Sequence, residues 1–341
     1  MICCETSGMF SIWKPRRRNH IIMVQRLFLT TLVALIGISL TACNDSNSPP
    51  AETEVSKPVV AATNFPLFCW LESICKSSGV EVVYLGPGRD LEGDSSHWSP
   101  DLSQVLRLQK ADLIFRNGPG AEYATWLNRV SIDETKLKSL TDTMGLDEFV
   151  MVKDWGTVHR HGPEGEHSHP SIVSRCWLSP EMSLRQSNWC VEQLAEQYPN
   201  HKDVFKSNGL KLEALLQQLS LKTKQLAKQV KGKTIVVSNP EARYLFQLMG
   251  IETTSLNWRE FPADDGQEQL EKVCGSLSKE NAIFVWTFSP TEAQRKIVSE
   301  FVASQCVLEL IDGGDPESGA DQRYLALMQK NLDCIREASS N

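Results

Sequence analysis

Residues 59–85 read VVAATNFPLFCWLESICKSSGVEVVYL, and this stretch decides the fold class. Val59 to Phe65 is a short apolar run of the kind that forms a buried strand. Pro66 to Lys76 reads as a helix, and Val80 to Leu85 as a second strand. Working outward, Leu102 to Lys110 has a helical pattern and Asp112 to Phe115 is another short strand. The run Arg116-Asn117-Gly118-Pro119-Gly120 is a turn by composition. Short apolar strands alternating with helices predict a parallel, doubly wound α/β lobe.

The same rhythm returns further along. Thr234 to Ser238 reads as a strand, Glu241 to Met249 as a helix and Ile251 to Leu256 as a strand. Gln267 to Leu277 is helical, Ala282 to Trp286 a strand, Pro290 to Ser304 helical, Val307 to Ile311 the last strand and Gln322 to Glu337 a closing helix. Between the two sets lie a helix over Glu181 to Gln197 and a long helix over Asp203 to Val230. In the long helix, Leu212, Leu215, Leu216, Leu219, Leu226 and Val230 are expected on one stripe. The fold class is therefore α/β: two doubly wound lobes joined by a long backbone helix, with the ligand cleft between them. The expected lobes are 58–198 and 232–341, with 199–231 as the linking helix.

The N-terminal stretch belongs to targeting. Lys14, Arg16, Arg17, Arg18 and Arg26 precede an apolar run from Leu27 to Leu40. That run is about 14 residues, short of the roughly 20 a spanning helix needs, and suits the h-region of a secretory signal. It ends Leu40-Thr41-Ala42-Cys43, the pattern of a bacterial lipobox, so 1–42 is expected to be removed and Cys43 acylated. Residues 43–57 then form a polar tether that buries no core. Met23 opens a more conventional signal peptide than Met1. The expected location is the periplasmic or outer face of a bacterial membrane, attached through lipid.

About 300 residues from Cys43 onward can build two cores. The net charge is −7 and no basic stripe lies in the mature part, which argues against nucleic acid as a partner. Ten cysteines occur without a Cys-x-x-Cys pair, so no zinc ribbon or thioredoxin-like site is indicated. A bridge from Cys274 to Cys334 or Cys306 is the preferred pairing. No P-loop, His-Glu-x-x-His or Gly-x-Ser-x-Gly motif is present, so the chain reads as a binding protein and not an enzyme.

Several landmarks resemble the zinc- and manganese-binding class of solute-binding proteins that serve ABC importers. They are VAATNFPLF at 60–68, SSHWSP at 95–100, ADLIFRNGPG at 111–120, the His-rich insert, Trp177 to Pro180, the long helix, Lys233 to Leu248 and Phe284 to Pro290. The resemblance implies a metal in the cleft, zinc ahead of manganese, held by three histidines and a carboxylate. It also implies a separate permease and ATPase as partners. Position by position, the first histidine falls on His97 and the carboxylate on Asp312. The second falls on Arg175 and the third on Asn239, so two of the four ligand positions have changed chemistry. Arginine ligates no cation, and an amide oxygen suits zinc poorly. Arg175 either pairs with Asp312 or leaves the cleft receptive to an anion.

Each of these residues also has a plainer reading. His97 is a loop histidine, Asp312 a turn residue before Gly313-Gly314, Asn239 a helix N-cap and Arg175 a surface arginine. His159, His161, His167 and His169, within 158–170, form an accessory metal collector by composition, or a solvated loop. The alternative to zinc delivery is a diverged relative that lost its cleft metal and serves as a scaffold or adhesin-like lipoprotein, or that holds an anionic small ligand through Arg175.

Overall fold

The structure is a computed structural model describing residues 57–88, 98–117, 127, 130–140, 144, 148–152, 159–160, 166–167, 171–258, 260–317 and 320–340. The first half builds β1 (Val59–Ala62), α1 (Phe65–Cys75), β2 (Glu81–Tyr84), α2 (Leu102–Lys110), β3 (Leu113–Arg116) and β4 (Leu137–Ser139). These strands form a parallel sheet in the order β2-β1-β3-β4. Four short strands follow: β5 (Met151–Val152), β6 (His159–Arg160), β7 (Glu166–His167) and β8 (Ser171–Ile172), pairing antiparallel as β5 with β8 and β6 with β7. Then come α3 (Pro180–Gln197) and α4 (Lys202–Gln229). The second half holds β9 (Thr234–Val237), α5 (Arg243–Leu248), β10 (Thr253–Ser255), α6 (Gly266–Cys274), β11 (Ala282–Trp286), α7 (Glu292–Ser299), β12 (Ser304–Val307) and α8 (Ala320–Ser340). Its sheet is also parallel, in the order β10-β9-β11-β12, so both halves carry the same winding.

The period-2 alternation of strands explains how the halves share a core. Val60 and Ala62 on β1, Ile235 and Val237 on β9, and Ile283 and Val285 on β11 all belong to one large cluster with residues of α1, α3, α4 and α8. The intervening residues face outward into separate clusters. Ala61, Val83 and Ile114 pack together on the first sheet, and Val236, Phe284 and Trp286 on the second. Phe205, Leu212, Leu216, Leu219 and Leu226 of α4 are buried, each stabilising the core by about 1.5–3 kcal/mol. Leu215, expected on that stripe, is instead 40% exposed, because the buried face follows the 3.6-residue turn through Leu212, Leu216 and Leu219. Gly209 lets α4 lie close to α3, since a Cβ there would meet Val191 Cγ2 at 2.6 Å. Asn208 Nδ2 donates to the carbonyls of Ile74 and Lys76, at 3.2 and 2.8 Å, which satisfies the end of α1.

The helix starts were legible in the sequence. Asn64 Oδ1 accepts from Leu67 N at 2.9 Å, and Asp101 and Thr291 each close a capping box. The last strand was not. It spans 304–307, not 307–311, and α7 ends at Ser299. The stretch from Val307 to Ile311 instead leaves the sheet after Leu308, whose N still donates to Trp286 O at 2.8 Å, with Leu308 and Ile311 buried. There Asn331 supplies the backbone's partners: Glu309 N donates to Asn331 Oδ1 at 2.8 Å, and Asn331 Nδ2 donates to Glu309 O at 2.9 Å. No described helix is long and apolar enough to cross a membrane.

All seven described cysteines are thiols. The expected bridge involving Cys274 is not formed, because Cys274 packs in the outer cluster of the second sheet while Cys306 faces the shared core. Cys306 and Cys334 do meet. The hydrogen bond from Cys306 holds Cys334 down to about 7, while that bond and then burial push Cys306 up. Cys334 is therefore expected to be the fastest-alkylated thiol near neutrality. Its rate should climb between about pH 6 and 8 as thiolate forms and then level off, where an ordinary thiol keeps climbing. Iodoacetamide labelling read by mass spectrometry checks this, and Cys306→Ala should move the profile back to the ordinary range.

Candidate functional site

In each sheet the winding reverses between the central strands, β1 and β3 in one and β9 and β11 in the other, and polar residues gather past their carboxyl ends. After β9, Asn239 caps a 3-10 turn, its Oδ1 accepting from Glu241 N at 3.0 Å. Asn239 Nδ2 donates to Thr287 Oγ1, and Thr287, just past β11, is also bonded to Ser238, hydroxyl to hydroxyl at 2.8 Å. The N-cap reading of Asn239 is therefore the one its bonds fit. Both ends of the amide are engaged within the second half, and its oxygen points to a backbone N–H.

Glu241, placed by that cap, is 2% exposed. Its partner is Arg175, on the segment leading from β8 into α3. Arg175 Nη1 donates to Glu241 Oε1 at 2.7 Å, and the Arg175 backbone N donates to Oε2 at 3.2 Å. Ser174 Oγ accepts from the same Nη1 at 2.8 Å. The other edge of the guanidinium meets Asp312 as a fork: Nε to Oδ1 at 2.9 Å and Nη2 to Oδ2 at 2.7 Å. This side-on geometry is the strongest form of a carboxylate–arginine pair. The side chains are 13% exposed for Arg175, 3% for Glu241 and 20% for Asp312. Burial works against the guanidinium's charge, but the carboxylates of Asp312 and Glu241 outweigh it and raise its pKa above the usual arginine range.

The backbone around Asp312 is shaped for this contact. Ile311 has φ +60°, a left-handed conformation that a β-branched residue adopts at a cost of about 1–3 kcal/mol. Trp177 Nε1 donates to Leu310 O at 2.7 Å, so the segment carrying Arg175 is fastened to the one carrying Asp312. Tyr84, bonded through its hydroxyl to Pro87 O at 2.7 Å, is pushed well above the usual phenol range by burial and then by the nearby Asp312 carboxylate.

The structure thus brings Arg175 and Asp312 together and places Asn239 beside their partner. His97, His161, His169 and Cys43 lie outside the described residues, and for His159 and His167 only the pairing of the two strands is described. Among the described residues no three His, Cys, Asp or Glu side chains come together as a metal-holding group. The fit to a divalent ion is poor there, since the space between the two carboxylates holds a guanidinium that would repel the ion. Sequence reasoning missed Glu241. The available signal was Arg175 itself, because a buried guanidinium carries five N–H donors and a single carboxylate fork satisfies only two of them.

Two parallel α/β sheets sharing a helical core, with a polar seam past their strand ends, define the two-lobed solute-binding fold. The sequence model of the family described as zinc-uptake complex component A, periplasmic, matches residues 60–338, and the chain belongs to that family. The zinc-binding lipoprotein AdcA of Streptococcus pneumoniae is 20% identical over 314 residues, covering 90% of this chain. The chain spans 60% of that relative's length. Among solved structures, the Zn(II)-bound ZnuA-like domain of the same AdcA has a TM-score of 0.62 at 17% identity, covering 84% of this chain and 100% of that one. The SBP FpvC from Pseudomonas aeruginosa in complex with Mn2+ has a TM-score of 0.65 at 16% identity, covering 84% and 99%.

Proposed function

We propose that this chain is the solute-binding component of an ABC-type metal-ion importer, with zinc as its cargo and manganese as the lesser candidate. The observation that carries this reading is the family match across residues 60–338, which takes in nearly all of the described residues. In this reading Cys43 bears the lipid, the protein works on the outer face of a bacterial membrane, and a permease and an ATPase are separate chains. It binds and hands over an ion and catalyses no reaction. His159, His161, His167 and His169 supply neutral imidazoles suited to zinc and would gather the ion first.

A second reading is favoured by one observation, the Arg175 ion pair: a relative whose cleft has given up its metal and which serves as a scaffold or adhesin-like lipoprotein. The third, an anion receptor using Arg175, has less support. An anion would meet two carboxylates around one guanidinium, a cluster of net charge −1.

Metal analysis and zinc titration of the protein from Asn44 onward, beside a form lacking residues 158–170, separate these readings. The importer reading expects the intact protein to bind about one equivalent of zinc or more, whereas zinc lost wholly with the deletion means that the cleft holds no cargo and favours the second reading. An equivalent that survives the deletion and disappears in His97→Ala would place cargo in the cleft despite Arg175. If the intact protein takes up no zinc or manganese, the importer reading fails and the scaffold reading stands.

A further inference from the structure

We infer that Arg175 is the resident cation of the cleft, a tethered guanidinium that sits between Asp312 and Glu241 and keeps the two halves of the chain closed on each other without any free ion. The inference deepens the solute-binding reading and rests on it in taking this seam as the ligand position.

Three observations support closure by the chain itself. The first is the ion pair. Glu241 follows β9 and Asp312 follows β12, both in the second half, whereas Arg175 precedes α3 in the first, so its bonds cross from one half to the other. A mobile divalent ion would make the same cross-link only while bound. An arginine makes it permanently, and its fork fixes the angle as well as the distance.

The second is the backbone contact on the other side of the seam. A Cβ at Gly313 would meet Gly88 O at 2.4 Å and Pro87 O at 2.7 Å. Only glycine allows the loop after β12 to lie that close to the loop after β2. A Cβ at Gly314 would meet the Phe65 ring at 2.2 Å, and the guanidinium of Arg323 lies 5.2 Å from that ring's centre.

The third is Trp177, whose bond to Leu310 O spans the same seam two residues from each end of the ion pair. Tyr244 adds a further tie, donating its hydroxyl to Val173 O at 3.0 Å and accepting from Val150 N at 3.1 Å. Together these leave the guanidinium in the position a cargo ion would take, and entry of that ion would require Arg175 to leave two carboxylates.

Hydrogen exchange read by mass spectrometry tests this on the protein from Asn44 onward, stripped of metal with a chelator and then given zinc. Segments 84–88 and 309–315 are expected to be protected in the stripped protein and to change little when zinc is added. In Arg175→Met their exchange should quicken at least about tenfold, with Arg175→Lys between the two. If Arg175→Met exchanges rapidly everywhere, Arg175→Met/Glu241→Gln removes the stranded buried charge and gives the local reading. The inference is overturned if the stripped wild type already exchanges there like an exposed loop and zinc slows it, since the ion would then be the closing device. It is overturned equally if neither methionine variant changes these segments. Loss of zinc binding with 158–170 reports on the cargo reading alone, so the two can fail independently.

Discussion

Arg175→Met is expected to lower folding stability by about 3–5 kcal/mol, the usual cost of removing one member of a buried ion pair. Most of that loss comes from Glu241, whose side chain is 3% exposed and would be left with Ser174 and a backbone N–H as its remaining partners here. Asp312, at 20% exposure, turns partly to water, so its share is smaller. Urea unfolding at neutral pH measures the difference. Arg175→Met/Glu241→Gln should recover more than half of it, because the second change removes the charge that the first one strands. A loss below about 1 kcal/mol would mean that the cluster is hydrated like a surface pair, and the interior cation would have to be abandoned.

The second large effect is expected at Trp177. Its side chain is fully buried, and its indole N–H reaches Leu310 O at 2.7 Å while its own carbonyl accepts from the Tyr324 hydroxyl at 2.6 Å. Trp177→Ala should cost about 3–5 kcal/mol through the cavity it leaves. Trp177→Phe fills much of that space but orphans the Leu310 carbonyl, for about 1–3 kcal/mol. Trp177 lies two residues after Arg175, and Leu310 two before Asp312, so the indole sets the register of the ion pair. Combining Trp177→Phe with Arg175→Met should therefore depart from additivity by about 0.5–3 kcal/mol. Strict additivity in unfolding measurements would show that the tryptophan packs without positioning the arginine.

The outcome at Arg175 explains why its partner was hard to see beforehand. Asp312 was reachable through resemblance, which implies a carboxylate ligand at that position. Glu241 lies 66 residues from Arg175, and nothing in Asn239-Pro240-Glu241 distinguishes it from an acidic residue in the first turn of a helix. The shifted last strand has a similar origin. Val307 to Ile311 is mostly apolar because Leu308 and Ile311 are buried, and such burial does not separate a strand from a covered crossing whose backbone is satisfied by Asn331. Cys306 and Cys334 meet because α8 packs against β12, a contact that cysteine spacing does not encode.

What the sequence by itself determined is the two-lobed α/β plan: the alternating strand and helix runs, the long helix, and an arginine where the resemblance implies a ligand. These follow from periodicity and short-range chemistry, which are written in residues a few positions apart. Only the tertiary structure decided what that arginine does. Its fork on Asp312 closes over 137 residues, against an isoleucine in the left-handed region and a glycine pressed on another loop's carbonyls. Such contacts depend on where two sheets bring their strand ends, and that position is set by the packing of the whole core.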